Sequence, residues 1–208
     1  MSGMQVTTEE QLREIVGHPS EMVVKKVKPM LEPGHAQWLA ACPMVFMATS
    51  DAQGRVDVSP KGDPPGKVVH VIDAKTIAIP ERPGNKRVDG YVNILSNPRV
   101  GTIALVPGRG DTLRVNGRAR IVDDADYFDE LAVKGRRPIL AVEIDIEEVF
   151  FHCAKAFYRS NLWKPEQWDT ADLPSMAVLI KKLMPDLEHD VDELEKLYAE
   201  DNYRKHLY

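Results

Sequence analysis

Between Met44 and Ala154 the chain is a succession of short β-branched or alternating runs separated by turn chemistry, and no other feature limits its possible folds as tightly. MVFMATS is apolar enough for a central strand, and the turn Asp51-Ala-Gln-Gly54 returns it into RVDVSP as a hairpin. Further strands are predicted at Lys67 to Ile72, at Lys75 to Ile79, and in RVGTIALVP, DTLRVNGRARIVD, ILAVEIDI and EVFFHCA. In DTLRVNGRARIVD the apolar side carries Leu113 and Val115 and, after a slip at Asn116-Gly117, Ala119 and Ile121. A glycine at that slip predicts a bulge or a close backbone approach. One helix is inserted before Asn97-Pro98, and a short one is expected near Asp126 to Val133. Six or more strands joined mostly by short turns predict a mainly β (α+β) chain folded as an antiparallel barrel.

Helices flank this region. Thr8 with Gln11 forms a candidate capping box ahead of Leu12, Ile15 and Val16, and His35 to Cys42 fits a second short helix. Towards the other end, SMAVLIKKLM runs from Pro174 to Pro185. Leu187, Val191, Leu194 and Leu197 or Tyr198 then mark the apolar face of an acidic helix, packed on the barrel or on a partner subunit. The length of 208 residues suits one domain, with a barrel core of about 34–163 and a helical extension of about 164–208.

Lys and Arg total 27 against 32 Asp and Glu, a net charge of −5 that argues against general attraction to nucleic acid or an anionic membrane. Locally the balance reverses: Arg109, Arg114, Arg118 and Arg120 stand near a single acid, Asp111. The two cysteines, Cys42 and Cys153, have no CxxC spacing and read as buried thiols. With no apolar signal core and no run approaching a membrane span, the expected location is the cytoplasm.

The segment TIAIPERPGNKRVDGYVNILSNP carries the clearest chemical signal. A strand-like run breaks at Pro-Glu-Arg-Pro-Gly, and a helix is expected to begin near Asn85 with Lys86 and Arg87 in its first turn. Cations there oppose the positive end of the helix dipole, and an anion bound by backbone NH groups and both cations would remove the conflict. The alternative is a solvated basic turn. Phe150 to Trp163 is a second candidate, because His152, Lys155, Arg159, Ser160 and Trp163 gather polar and aromatic groups just after a strand. They form either a site wall or a packed barrel edge with solvated cations. Gly108-Arg-Gly110 lacks the third glycine of a dinucleotide loop and reads as a hairpin turn. His152 and Cys153 are adjacent and so point to opposite faces of a strand, which argues against a shared metal, and none is expected.

The order of VDVSPKGDPPG, TIAIPERPGNKR, NILSNPRVG, PGRGDTLRVNGRARIV and FFHCAKAFYRSNLW resembles the FMN-binding branch of the pyridoxamine phosphate oxidase-like split barrels, over about Gly34 to Trp163. The resemblance implies a six-stranded antiparallel split barrel and a homodimer with FMN at its interface, touched by both subunits. It implies that Asn85, Lys86 and Arg87 grip the FMN phosphate. Val58, Ser59, Pro60 and Lys61 would run along the flavin, with Pro80 and Arg82 beneath the phosphate loop. Arg114 and Asn116 would approach from the neighbouring subunit, Lys155 or Arg159 would face the flavin N1 and O2 edge, and Trp163 would wall the site. The implied activity is that of an FMN-dependent oxidoreductase acting on a small molecule, with no catalytic residue assigned. Pyridoxamine phosphate oxidase activity itself is not expected, since DNYRKHLY lacks that enzyme's C-terminal arginine and histidine pattern. A flavin-binding module without turnover, or a haem- or deazaflavin-binding relative, remains an alternative.

Overall fold

The structure is a computed structural model and describes residues 3–208. Three helices, α1 (Glu9–Val16), α2 (Glu21–Lys25) and α3 (Pro33–Ala41), precede the sheet. Its strands are β1 (Met44–Ser50), β2 (Val56–Gly62), β3 (His70–Val71), β4 (Thr76–Glu81), β5 (Arg99–Leu105), β6 (Thr112–Val122) and β7 (Leu140–His152). Helix α4 (Asp89–Ser96) is inserted between β4 and β5, and α5 (Lys155–Ser160), α6 (Met176–Leu183), α7 (Val191–Tyr198) and α8 (Glu200–Lys205) follow β7. The sheet is antiparallel throughout, in the order β2-β1-β5-β6-β7-β4-β3, and curls into an α+β split-barrel-like half-barrel.

Alternation sorts the two faces. Val45, Met47, Val100, Ala104, Leu113, Val115, Ile77, Ile79, Val142, Ile144 and Val149 turn inward to form the core. Leu39 of α3 and Tyr91 and Ile94 of α4 join the same core. At the other side of the sheet, Phe128 covers Ala78 and Ala141. Thr8 caps α1 by accepting from Gln11 N at 3.2 Å, but the return bond of the expected capping box goes one residue earlier, with Gln11 Oε1 accepting from Thr7 N at 3.0 Å. In the tail, Asp190 and Glu193 form a capping box on α7, whose Leu194 is buried, as is Ala177 of α6.

Several expectations change. The sheet has seven strands, one more than the six-stranded barrel the resemblance implies, and the run Lys67 to Ile72 forms only the two-residue β3. ILAVEIDI and EVFFHCA are one 13-residue strand, β7. The acids that resembled a break point outward: Glu147 pairs with Arg99 and Glu148 accepts from Asn116 at 3.1 Å. The slip is a bulge whose extra residue is Glu147, since Asn116 opposes Glu148 while Gly117 opposes Ile146. Gly117 is required there, as a Cβ would stand 2.1 Å from the Asp145 carbonyl oxygen. The short helix expected near Asp126 to Val133 is only a turn of 3-10 helix, Asp126–Phe128. Cys42 is buried, but Cys153 is exposed because it lies just past the end of β7.

Candidate functional site

Strands β2 and β4 are far apart in the sheet order, yet the curl brings their ends together, and two ion pairs cross the resulting seam. Lys61 Nζ of β2 lies 2.6 Å from Glu81 Oε2 of β4 and 3.1 Å from Tyr91 Oη of α4, with its charge 4.7 Å from the Tyr91 ring centre. Tyr91 Oη also donates to Glu81. Burial, reinforced by the Glu81 carboxylate, pushes the Tyr91 phenol far above its ordinary range, so it stays a neutral donor. One turn of chain away, Arg82 Nε donates to Asp63 at 2.7 Å and its Nη2 to the Leu131 carbonyl at 2.7 Å.

A cleft of about 180 Å³ opens at this seam, lined by Pro60, Lys61, Gly62 and Asp63 from one side and by Pro80, Glu81, Arg82 and Gly84 from the other. Arg82 Nη1 is buried with no hydrogen-bond partner. An arginine donor held out of water without an acceptor is an open place for an anion. Tyr208 covers the far side, donating to Asp63 Oδ1 at 2.8 Å with its ring 5.9 Å from the Arg82 guanidinium.

The loop Asn85 to Arg87 leaves the same strand end but is not the first turn of a helix. Lys86 has a φ of +62°, a left-handed conformation that no helix accepts, and α4 begins only at Asp89. Asn85 Oδ1 accepts from Arg87 N at 2.9 Å, which tightens the turn. Arg87 Nε reaches Asp89 Oδ2 at 2.8 Å, so the acid in the first turn of α4 already answers both the dipole and that cation. The Arg87 guanidinium thus faces a separate open groove of about 550 Å³, which also contains Asp51, Arg55, Asp57 and Asp89. Lys86 makes no ion pair among the described residues.

The remaining expected residues lie on the outer sheet face and beyond. Register aligns Pro60, Phe46, Ile103, Arg114 and Phe150 in one row, and Val58, Ala48, Gly101, Asn116 and Glu148 in the next. Ser59, opposite Met47, lies on the other face of β2 from this row. Three strand spacings separate Pro60 from Arg114, about 14 Å, so a single copy does not bring them together. Lys155 and Arg159 are exposed on α5. Trp163 Nε1 donates to the Arg109 carbonyl at 2.7 Å and its ring stacks on Phe157, which ties the segment after β7 to the β5–β6 turn.

Sequence reasoning did not single out Glu81, Tyr91, Asp63 or Tyr208, the groups that hold Lys61 and Arg82 in place. For Glu81 the available signal was its position between Pro80 and Arg82. Asp63, Tyr91 and Tyr208 are brought to the seam only by the curl of the sheet. Among the described residues no three His, Cys, Asp or Glu side chains gather as a metal site would need. No helix among them is long and apolar enough to cross a membrane.

Residues 31–153 match the family model of pyridoxamine 5'-phosphate oxidase. Among curated proteins nothing matches this chain. Similar solved structures include a Lactobacillus delbrueckii protein named for pyridoxamine 5'-phosphate oxidase, 28% identical over 59% of this chain and 95% of that one, with a TM-score of 0.46. Group A Streptococcus HupZ is 23% identical over 59% of this chain and 94% of that one, with a TM-score of 0.46. An FMN-binding protein from Syntrophomonas wolfei is 14% identical over 70% of this chain and 97% of that one, with a TM-score of 0.43.

Proposed function

The chain belongs to the pyridoxamine 5'-phosphate oxidase family, and from that premise we propose that it is an FMN-binding flavoprotein acting as an oxidoreductase on a small molecule, with the cofactor shared between two copies. The observation that carries this reading is the seam cleft, where Lys61 stands beside Arg82, whose Nη1 is buried and unpartnered. Such a site suits the phosphate end of FMN. At about 180 Å³ it is too small for the whole cofactor, which fits a ring lying along the open sheet face beside it.

Asn85 and Lys86 would hold the phosphate from above. Arg87 would join them by exchanging Asp89 for the phosphate, and Arg82 and Pro80 would set the floor. Val58 and Pro60 would run along the ring on the outer face of β2, with the Ser59 and Lys61 backbone beside it and their side chains turned to the other face, where Glu81 and Tyr91 fix the Lys61 ammonium. Bound there, FMN would supply hydride or electron exchange at its N5, so no protein acid or base is required for the chemistry. Lys155 or Arg159 would place positive charge at the N1 and O2 edge, and Trp163 would shield that end from water.

The shared site is supported by the outer sheet face. Phe46, Val56 and Val58 are 38, 79 and 59% exposed, an apolar surface that a second copy would cover. The 14 Å between Pro60 and Arg114 is then spanned across subunits, with Arg114 and Asn116 of one copy approaching the ring held by the other.

A visible absorbance spectrum of the purified protein, with mass analysis of what heat or acid releases, tests the assignment. Flavin bands and a released FMN mass are expected. A colourless protein that takes up no added FMN would overturn it, and a Soret band would assign haem instead. Bleaching of the flavin bands by a nicotinamide donor without air would separate an enzyme from a binding module.

A further inference from the structure

We propose that Lys26, Arg114 and His152, gathered around the Phe150 ring, receive the anionic head group of the substrate, a carboxylate or phosphate carried on a planar or apolar body. The term substrate rests on the flavoprotein reading; the anion site itself does not.

Arg114 and Phe150 are directly opposed across β6 and β7, and His152 is opposed to Thr112 one step along the same face. The Arg114 guanidinium lies 5.9 Å from the Phe150 ring centre and Lys26 Nζ lies 6.0 Å from it. Lys26 is brought there by a backbone bridge, in which Lys28 N donates to the Val149 carbonyl at 2.9 Å and Val149 N returns a bond to the Lys28 carbonyl at 2.8 Å. Lys26 and Arg114 thus approach the Phe150 ring, and His152 lies two residues along the same strand face, near enough to feel both charges.

No carboxylate answers them. Elsewhere on this sheet Arg99 meets Glu147 and Arg120 meets Glu143 and Asp145, while Arg118, which has no such partner among the described residues, is exposed to water. Among the described residues neither Lys26, Arg114 nor His152 makes an ion pair. The acids nearby in register or sequence are engaged: Glu148 accepts from Asn116, Glu32 lies 3.7 Å from Lys28, and Asp111 lies 3.7 Å from Arg109. Arg114 Nε is moreover out of contact with water and has no acceptor. In accord with a local excess of positive charge, burial and then Arg114 and Lys26 push the His152 imidazole below its ordinary range.

An anion would supply what this arrangement lacks. A carboxylate or phosphate offers the guanidinium two acceptors at once, and Phe150 provides a flat apolar wall beside them. Lys26, Arg114 and the His152 ring have Glu148, Glu32 and Asp111 near them in register or sequence, which favours a compact head group over a long polyanion.

The experiment follows the His152 ring proton by NMR in the full chain, titrated separately with benzoate and with inorganic phosphate, while absorbance records bound flavin in the same samples. The expected result is a saturable rise in the His152 pKa with at least one probe, the responding probe assigning carboxylate or phosphate. Arg114→Gln and the partly exposed Lys26→Gln should each weaken that response, Arg114→Gln by about tenfold or more. A response that never saturates, or that is equal in both variants and the parent, would overturn the site. Release of bound flavin as the probe saturates would also overturn it, by assigning the cluster to the cofactor's phosphate. Bound flavin with no response at His152 would sink this site and leave the flavoprotein reading standing. A response in protein that takes up no flavin would keep the anion site and remove the flavin beneath it.

Discussion

Lys61 shows how a side chain can be legible in type and illegible in partner. Its place at the end of VDVSPK marked it as a cation near a ligand, yet Glu81 and Tyr91, which hold it, are 20 and 30 residues away in sequence. With side chains only 14 and 20% exposed, Lys61 and Glu81 are sufficiently desolvated that removing one leaves the other poorly satisfied. Lys61→Met should cost about 2 kcal/mol in urea unfolding, and the double variant Lys61→Met, Glu81→Gln should recover part of that loss. His35 gives a pH-dependent counterpart. Its Nδ1 accepts the Glu32 N–H at 3.1 Å to close the N-terminus of α3, which requires that nitrogen to be unprotonated. Burial lowers its pKa, against a raising effect of Glu32 and with a further lowering by Lys28. A group depressed in the folded state stabilises above its unfolded value of about 6.5, and that stability is lost as pH falls through the folded value. Denaturation midpoints should therefore fall as pH drops below about 6.5, and His35→Gln, which keeps an acceptor but does not titrate there, should flatten that slope.

At the scale of elements, the hairpin of β1 and β2, the apolar strand β5, the inward alternation of β6 and helices α1, α3, α6 and α7 were readable, because each is encoded locally by period and turn residues, whereas the short helices α2, α5 and α8 were not expected. Boundaries that depend on a partner were not. Glu147-Glu148 resembled a break, because nothing local reveals that Arg99 and Asn116 wait across the sheet to receive the pair. Gly117 was noticed for the right reason, although the inserted residue lies opposite it. Gly117→Ala should cost about 3 kcal/mol, since its Cβ would meet a backbone carbonyl that cannot rotate away, and urea unfolding will measure it. The loop before α4 shows a different failure: Lys86 and Arg87 were placed in a helical turn, and the left-handed Lys86 rules that out. The cations survive as candidates even though the dipole argument for them does not. Replacing both by Ala should weaken FMN binding by about tenfold or more, read by flavin fluorescence, with the unfolding midpoint little changed. Lys86→Gly should relax the backbone and still lose affinity, which separates the charge from the turn.

For the whole molecule, an antiparallel barrel followed from strand count and turn spacing and its split form from the family resemblance, whereas the seam followed from curvature, which no local pattern records. The apolar outer face makes the assembly testable. Light scattering should give about twice the 23.4 kDa chain mass, and Val58→Asp should shift the mass to one chain and lower flavin content together. A monomer that retains full flavin would separate the two halves of the proposal. The sheet's margins add a further consequence. Pro60 lies on β2, whose outer edge has no neighbour, and Pro80 lies on β4 beyond the reach of β3, which pairs only with Ile77 and Ala78. Each proline removes one backbone donor from an otherwise open row, so a stray strand cannot add along either margin without a gap. The chain is thereby shielded from runaway edge-to-edge stacking into fibres, even though the face beside one of those edges is apolar enough to attract another molecule.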